Sequence, residues 1–269
     1  MEFSLSQIAV PFRMQPGLRR IAADDMRLTH LQVGSQLYQE KLAVVQSGRS
    51  RQLLPGFDPG PAMRAIAALG HGELDAPELS YQEDFAVLDG STGRLPWLCV
   101  CVPSHWAPEE KLGLDFASVH AQVAESATIV AASGHLVALA TGGECWERFV
   151  WTLTPSARYD QHPGRHQRTP WPALDGDDAF AASCWLRSER QCFFPVGGGT
   201  RQSVFTIRVM LQPLVDALAR PDDAQRLRDS LASMSDAVLD YKGLRQARPP
   251  LLRWLDSRSA LPAAESQGQ

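Results

Sequence analysis

The 269-residue sequence lacks every feature that would place it in a bilayer or on nucleic acid. No uninterrupted apolar run reaches the roughly 20 residues that a membrane-spanning helix needs. The opening stretch, MEFSLSQIAVPFRMQPGLRR, lacks the basic-then-apolar layout of a secretory signal, so the expected location is the cytoplasm. There is no excess of positive charge: 26 Lys and Arg stand against 30 Asp and Glu, a net charge of -4. That balance argues against a nucleic-acid partner, which a basic surplus would announce. Cysteine is scarce. The five, Cys99, Cys101, Cys145, Cys184 and Cys192, are odd in number and scattered, which excludes a disulfide scaffold and the ferredoxin spacings. Cys99 and Cys101, two apart in LCVCV, are expected to be buried thiols on one side of a strand.

Cofactor signatures are also missing. No G-x-G-x-x-G joins a strand to a helix, and the glycines at 197–199 lead into a strand, so no dinucleotide or phosphate loop is expected. There is no H-E-x-x-H. His162 and His166, in HPGRH, have ligand spacing but sit in a Pro/Gly-rich stretch and are expected in a solvated loop. Asp175, Asp177 and Asp178 lack the spaced ligands and closing Glu of an EF-hand and read as a charged turn.

What is present is an ordinary globular composition, 44% apolar and 21% charged, in a chain long enough to bury a core and a pocket. Helical patterns cover about 33–45 and 61–72, and residues 115–127 place Phe116, Val119, His120, Val123 and Ala127 on one helical face. A further amphipathic helix runs from Pro221 to Gly243, with Ala224, Leu227, Leu231, Met234 and Val238 in register. FAVLDG and TGRLPWLCVCVP read as a hairpin about Asp89-Gly90. HLVALATGG and ERFVWTLTP read as strands, and YDQHPGRHQRTPWPALDGDD as a long loop. The expected fold is α+β, an antiparallel sheet with flanking helices, in a single domain over 1–255 with a disordered tail at 256–269.

One segment poses a charge problem. LRSERQCFFPVGGGTRQSVFTIR, residues 186–208, reads as two apolar strands joined by a glycine-rich turn, yet carries Arg187, Glu189, Arg190, Arg201 and Arg208. A buried cation must be paired or it destabilises the fold. Strand alternation puts Arg187, Glu189, Gln191 and Phe193 on one face and Arg190 on the other. Arg190 and Arg208, each among apolar or small neighbours, could form a fork for carboxylates. Equally, Arg187, Glu189 and Arg190 could pair across a sheet that solvent reaches. Arg201, in the turn, is expected to be solvated.

The same residues carry a resemblance. L-R-S-E-R-Q, a short Gly-containing turn, then F-T-I-R-x-x-x-x-P-L resembles the signature of the heme-dependent oxidative N-demethylase family. VPSHWAPEEKLGLDFASVHAQVAES is similar to that family's Pro-x-x-Trp-x-Pro-x-x-Lys-x-Gly segment and its hydrophobic-His motif, here Pro103, Trp106, Pro108, Lys111, Gly113, Val119 and His120. Tyr241 to Gly243 fits a late Tyr-Lys-Gly. Departures are Gln122 and Ala124 where prolines are expected, Val150-Trp151 for an Asn-Trp pair, and a turn richer in glycine and poorer in basic residues.

The resemblance implies a Per-Arnt-Sim-like domain holding heme b. It implies that His120 is the axial ligand and metal-binding residue, with Arg190, Arg208 and Arg187 on the propionates. It makes Glu189 the catalytic candidate, orienting an arginine or meeting a substrate amine. The implied activity is oxidative N-demethylation of a small amine with O2. With no dinucleotide fingerprint or ferredoxin pattern in the chain, electrons would come from a separate flavin/iron-sulfur reductase subunit. The alternatives are a heme-binding sensor or carrier without turnover, and a ligand-binding domain that has lost heme.

Overall fold

A computed structural model describes residues 3–14, 17–22, 25, 27–71 and 75–259. Its strands are β1 (Arg19–Arg20), β2 (Arg51–Leu53), β3 (Glu83–Asp89), β4 (Arg94–Cys99), β5 (Trp146–Thr154), β6 (Trp185–Pro195) and β7 (Gln202–Pro213). They form one sheet in the order β1-β5-β6-β7-β3-β4-β2, every neighbouring pair antiparallel. Helices α1 (Gln36–Gln46), α2 (Gly60–Gly70), α3 (Pro77–Ser80), α4 (Phe116–His120), α5 (Ala127–Ala131) and α6 (Ser133–Ala140) flank it. A second group follows later in the chain: α7 (Asp177–Ala182), α8 (Leu214–Ala217), α9 (Pro221–Ala232), α10 (Asp236–Lys242) and α11 (Arg248–Ser259). The architecture is thus α+β, an antiparallel sheet with flanking helices. No helix among the described residues is long and apolar enough to cross a membrane.

The puzzling segment is the centre of the sheet. β6 and β7 pair from Trp185↔Pro213 to Pro195↔Ser203, and Arg190 lies directly across from Arg208. Gly197, Gly198 and Gly199 in the connecting turn have φ of 77°, 61° and 77°, a run of left-handed conformations that side chains with a Cβ rarely adopt. Three flanking packs fix the sheet. On one face Phe85, Val87, Trp97, Cys99 and Val204 pack against Ala62 and Ile66 of α2 and against Tyr81. At the β5–β6 end Leu153 and Leu186 join Leu227, Leu231, Leu251, Trp254 and Leu255 of α9 and α11. Leu88 and Phe193, on the opposite face, meet Val137 and Ala140 of α6.

Both hairpins form as the pattern predicts, and three expected elements do not. HLVALATGG is helical through Ala140, not a strand. A short apolar run does not distinguish the two by periodicity, and Leu and Ala are strong helix formers. The helix expected over 115–127 stops at His120 and resumes at Ala127, with Glu125 at φ 55° between them. The long helix expected from Pro221 breaks after Ala232, and Ser235 caps α10 by accepting from the Val238 N–H. The expected tail overlaps the end of α11 at residues 256–259; residues 260–269 lie outside those described. Cys99 and Cys101 are buried and free, as expected, and so are Cys184 and Cys192. Burial pushes the Cys184 thiol up to about 11 and the Cys192 thiol up to about 12.

Candidate functional site

Alternation along the central strands decides which side chains meet a cavity of about 840 Å³. Its floor is one face of the sheet: Arg148, Val150 and Thr152 from β5, Arg187, Glu189, Gln191 and Phe193 from β6, Phe205 and Ile207 from β7. Phe116, Val119 and His120 of α4, with Ile129, Leu136 and Ala140, close it on the other side, and Trp106, Tyr241 and Lys242 complete the wall. The volume lies toward the upper end of the roughly 300–1,000 Å³ usual for ligand and cofactor pockets.

His120 is set by the local geometry of α4. Asp115 caps that helix, accepting from the Ser118 N–H at 2.7 Å. One turn on, His120 Nδ1 lies 2.8 Å from the Phe116 carbonyl, and its ring stacks on the Phe116 ring with centroids 4.1 Å apart. A carbonyl oxygen can only accept, so Nδ1 carries the proton and Nε2 the lone pair. Burial holds the imidazole below its ordinary range, which favours the neutral, metal-ligating form.

The charged groups on the floor form a connected set. Glu189 accepts from the Ser104 hydroxyl on one oxygen and from Gln191 Nε2, at 2.6 Å, on the other. Ser104 Oγ in turn accepts from Arg187 Nε at 2.7 Å, and Gln191 Oε1 accepts from Arg148 Nε at 2.7 Å. Arg187 is 1% exposed and otherwise donates to the carbonyls of Arg158 and Val102. Among the described residues neither Arg148 nor Arg187 has a carboxylate within ion-pair distance. Burial pulls both guanidinium groups below their usual range while Glu189 pushes them back. Lys242, at the wall, is lowered to about 8 by burial, again against Glu189. Among the described residues the cavity lining therefore carries Arg148, Arg187 and Lys242, with Arg13, Arg19 and Lys111 besides, against the one carboxylate of Glu189, and its surplus positive charge calls for an anionic occupant.

Two expected contributors do not reach it. Arg190 and Arg208 are neighbours, as the strand pairing implies, but the alternation that turns Arg187, Glu189 and Ile207 into the cavity turns these two away. Arg190 donates to Glu147 at 2.7 Å and to the Asp25 carbonyl at 3.0 Å, and Arg208 donates to Gln82 at 3.0 Å. The expected fork at the pocket is corrected accordingly: of the arginines singled out in the sequence, Arg187 is the one on the cavity face. The alternative of pairing across a solvated sheet also falls, because Arg187, Glu189 and Arg190 are all buried. Arg201 is exposed, as expected.

His162 is not solvated as read. It is buried, with Nε2 3.1 Å from Glu109, while His166 Nε2 and Arg165 Nε meet the same Asp160 oxygen at 3.1 and 2.8 Å. Among the described residues no cluster of His, Cys, Asp or Glu has metal-site geometry. Asp177 and Asp178, read as a charged turn, open α7 and bind Arg253 and the Trp254 indole N–H.

Arg148, Ser104, Lys242 and Tyr241 were not assigned roles from the sequence. For Arg148 the signal was present: alternation along ERFVWTLTP puts it beside Val150 and Thr152. Ser104 and Lys242 come from a loop and a helix end, and only the fold brings the one to β6 and the other to β5.

The cavity fits a heme. It offers a large, mostly apolar space, the neutral imidazole of His120 with a free Nε2 lone pair, a second imidazole at His105, and two arginines, Arg148 and Arg187, without a carboxylate at ion-pair distance among the described residues. A family model described as "Haem-dependent oxidative N-demethylase, alpha subunit-like" matches residues 72–252, more than half of the chain and all of the sheet face just described except its β1–β2 edges.

Proposed function

Because the chain belongs to the haem-dependent oxidative N-demethylase, alpha subunit-like family, we propose that it is the heme-holding subunit of an oxygenase that removes a methyl group from a small amine. The cofactor in this reading is heme b, in a domain of Per-Arnt-Sim type, with O2 as oxidant and electrons delivered by a separate flavin/iron-sulfur reductase subunit. The observation that carries it is His120: a cavity-wall imidazole whose Nδ1 is tied to the Phe116 carbonyl, which leaves Nε2 as the donor to a metal.

The residues divide the work. His120 would hold the iron. Arg187 and Arg148 would neutralise the two propionates, since guanidinium binds carboxylate with charge-assisted hydrogen bonds. Phe193, Phe205, Ile207 and Val119 line the cavity with apolar surface that would favour the porphyrin over water. Glu189 would bind the ammonium form of the amine and fix the N-methyl group in the pocket. Bound heme supplies O2 activation; with a secondary methylamine the balance is amine, O2, two electrons and two protons giving demethylated amine, formaldehyde and water.

Purified protein supplied with hemin is expected to show a Soret band that His120→Ala abolishes and Arg148→Ala weakens. His162→Ala, which alters a histidine away from the cavity, should leave it unchanged. Dithionite-reduced protein should release formaldehyde from N-methylamines in the presence of O2. A protein that stays colourless with hemin would end the proposal, and heme binding without formaldehyde from any N-methylamine would leave a sensor or carrier.

A further inference from the structure

We propose that Ser104 and Gln191 are positioning residues that hold Glu189 apart from Arg187 and Arg148, keeping its carboxylate available to a cationic ligand. This rests on the reading of Glu189 as the carboxylate that meets the amine.

The geometry is a five-membered chain, Arg187–Ser104–Glu189–Gln191–Arg148, in which every hydrogen bond runs toward the carboxylate. Arg187 Nε donates to Ser104 Oγ at 2.7 Å, and the hydroxyl donates to Glu189 Oε1. Arg148 Nε donates to Gln191 Oε1 at 2.7 Å, and Gln191 Nε2 donates to Glu189 Oε2 at 2.6 Å. Each bridge thus turns its acceptor to a guanidinium and its donor to Glu189. Each also occupies the place where a guanidinium would otherwise dock.

A buried glutamate beside two arginines would ordinarily form direct, bidentate pairs. Here no direct ion pair joins Glu189 to either one among the described residues. A carboxylate in a direct double pair would have its charge and its lone pairs taken up, leaving little for an ammonium. Two neutral spacers avoid that while still satisfying both oxygens. Ser104 is pinned for the purpose: its residue forms a bridge with Gln161, and the Gln161 N–H donates to the Pro103 carbonyl at 3.1 Å. Gln191 is pinned by β6, two residues along the same face from Glu189.

The test is calorimetric titration of heme-loaded protein with dimethylammonium chloride, alongside the heme-to-protein ratio and the thermal midpoint of each variant. Ser104→Ala and Gln191→Met are each expected to weaken binding about tenfold or more, because the released guanidinium takes the carboxylate oxygen and the ammonium loses one charge-assisted bond there. Ser104→Thr, which keeps the hydroxyl, should restore affinity to within about threefold. Wild-type affinity in both Ser104→Ala and Gln191→Met, with binding lost in Glu189→Gln, overturns the inference. Wild-type affinity in Glu189→Gln instead removes the premise, and the fault then lies with the role given to Glu189. If Ser104→Ala does not fold, Gln191→Met decides alone: weakened binding supports the spacer role and unchanged binding refutes it.

Discussion

The ε-amino group of Lys242 donates to the Trp151 carbonyl at 2.7 Å and lies over the rings of Phe12 and Trp151, 5.3 and 5.8 Å from their centroids. The aromatic faces and the carbonyl attract its charge, and burial opposes it more strongly. The sign of the consequence follows from proton counts. Near neutrality the folded and unfolded chains both hold the proton. Between about 8 and 10.5 the folded chain has released it while the unfolded chain keeps it, so stability rises with pH through that window. Lys242→Met lacks this gain. Urea midpoints of the two proteins, compared below pH 8 and near 10.5, should diverge in favour of the wild type as pH rises; a constant difference would show that Lys242 titrates as in the unfolded chain. At the same scale lies the contrast between Arg187 and Arg190. Three residues apart in sequence, one enters the cavity and the other binds Glu147 on the reverse face.

Among the elements, α2 shows packing overruling propensity. Gly70 lies in its last turn, where alanine would ordinarily favour the helix by up to about 1 kcal/mol. A Cβ at that position would overlap the hydroxyl and ring of Tyr81, which is buried and donates to the Gly70 carbonyl at 3.0 Å. The ring stands in a core with Phe85, Trp97 and Ile66 and has no room to yield. Gly70→Ala is therefore expected to lower stability by about 1–3 kcal/mol, the range of overpacked cores. Urea unfolding measures it, and Tyr81→Phe in the same chain should recover part of the loss by removing the overlapping oxygen. A stabilised Gly70→Ala would mean that the ring moves freely. In the first helical turns around the cavity the same contest has another outcome. Residues 115–127 carry a helical pattern, but the chain needs a turn between α4 and α5 to wrap the pocket, and Glu125 takes a positive φ to make it.

For the whole molecule the notable feature is how the helical group at the C-terminal end shares a core with the sheet. Trp151 and Leu153 of β5 and Leu186 of β6 belong to one apolar cluster with Leu227, Leu231, Leu251, Trp254 and Leu255. Trp254 is 2% exposed and its indole N–H donates to Asp178 at 3.0 Å, tying α11 to α7. We expect sheet and helices to unfold together, with coincident urea transitions by tryptophan fluorescence and far-ultraviolet circular dichroism. Trp254→Ala should shift both by about 3–5 kcal/mol. Two separated transitions, or a shift in one signal alone, would show that the helical group unfolds as an independent unit.

By itself the sequence determined the α+β class, both hairpins, the burial of Cys99 and Cys101, and that Arg187 and Glu189 share one face of β6. These rest on local rules, periodicity of two in strands and turn glycines, and the two motif blocks lie within the residues that the family model matches. What the tertiary structure alone decided was the sign of each face. Alternation separates Arg187 from Arg190 but does not say which side holds the pocket, because that depends on where α4, α5 and α6 pack. The same limit hid Ser104 and Lys242, whose side chains hydrogen-bond to residues 83 or more positions away in the chain. A hydrogen bond across such a separation exists only once the fold has brought its two ends together.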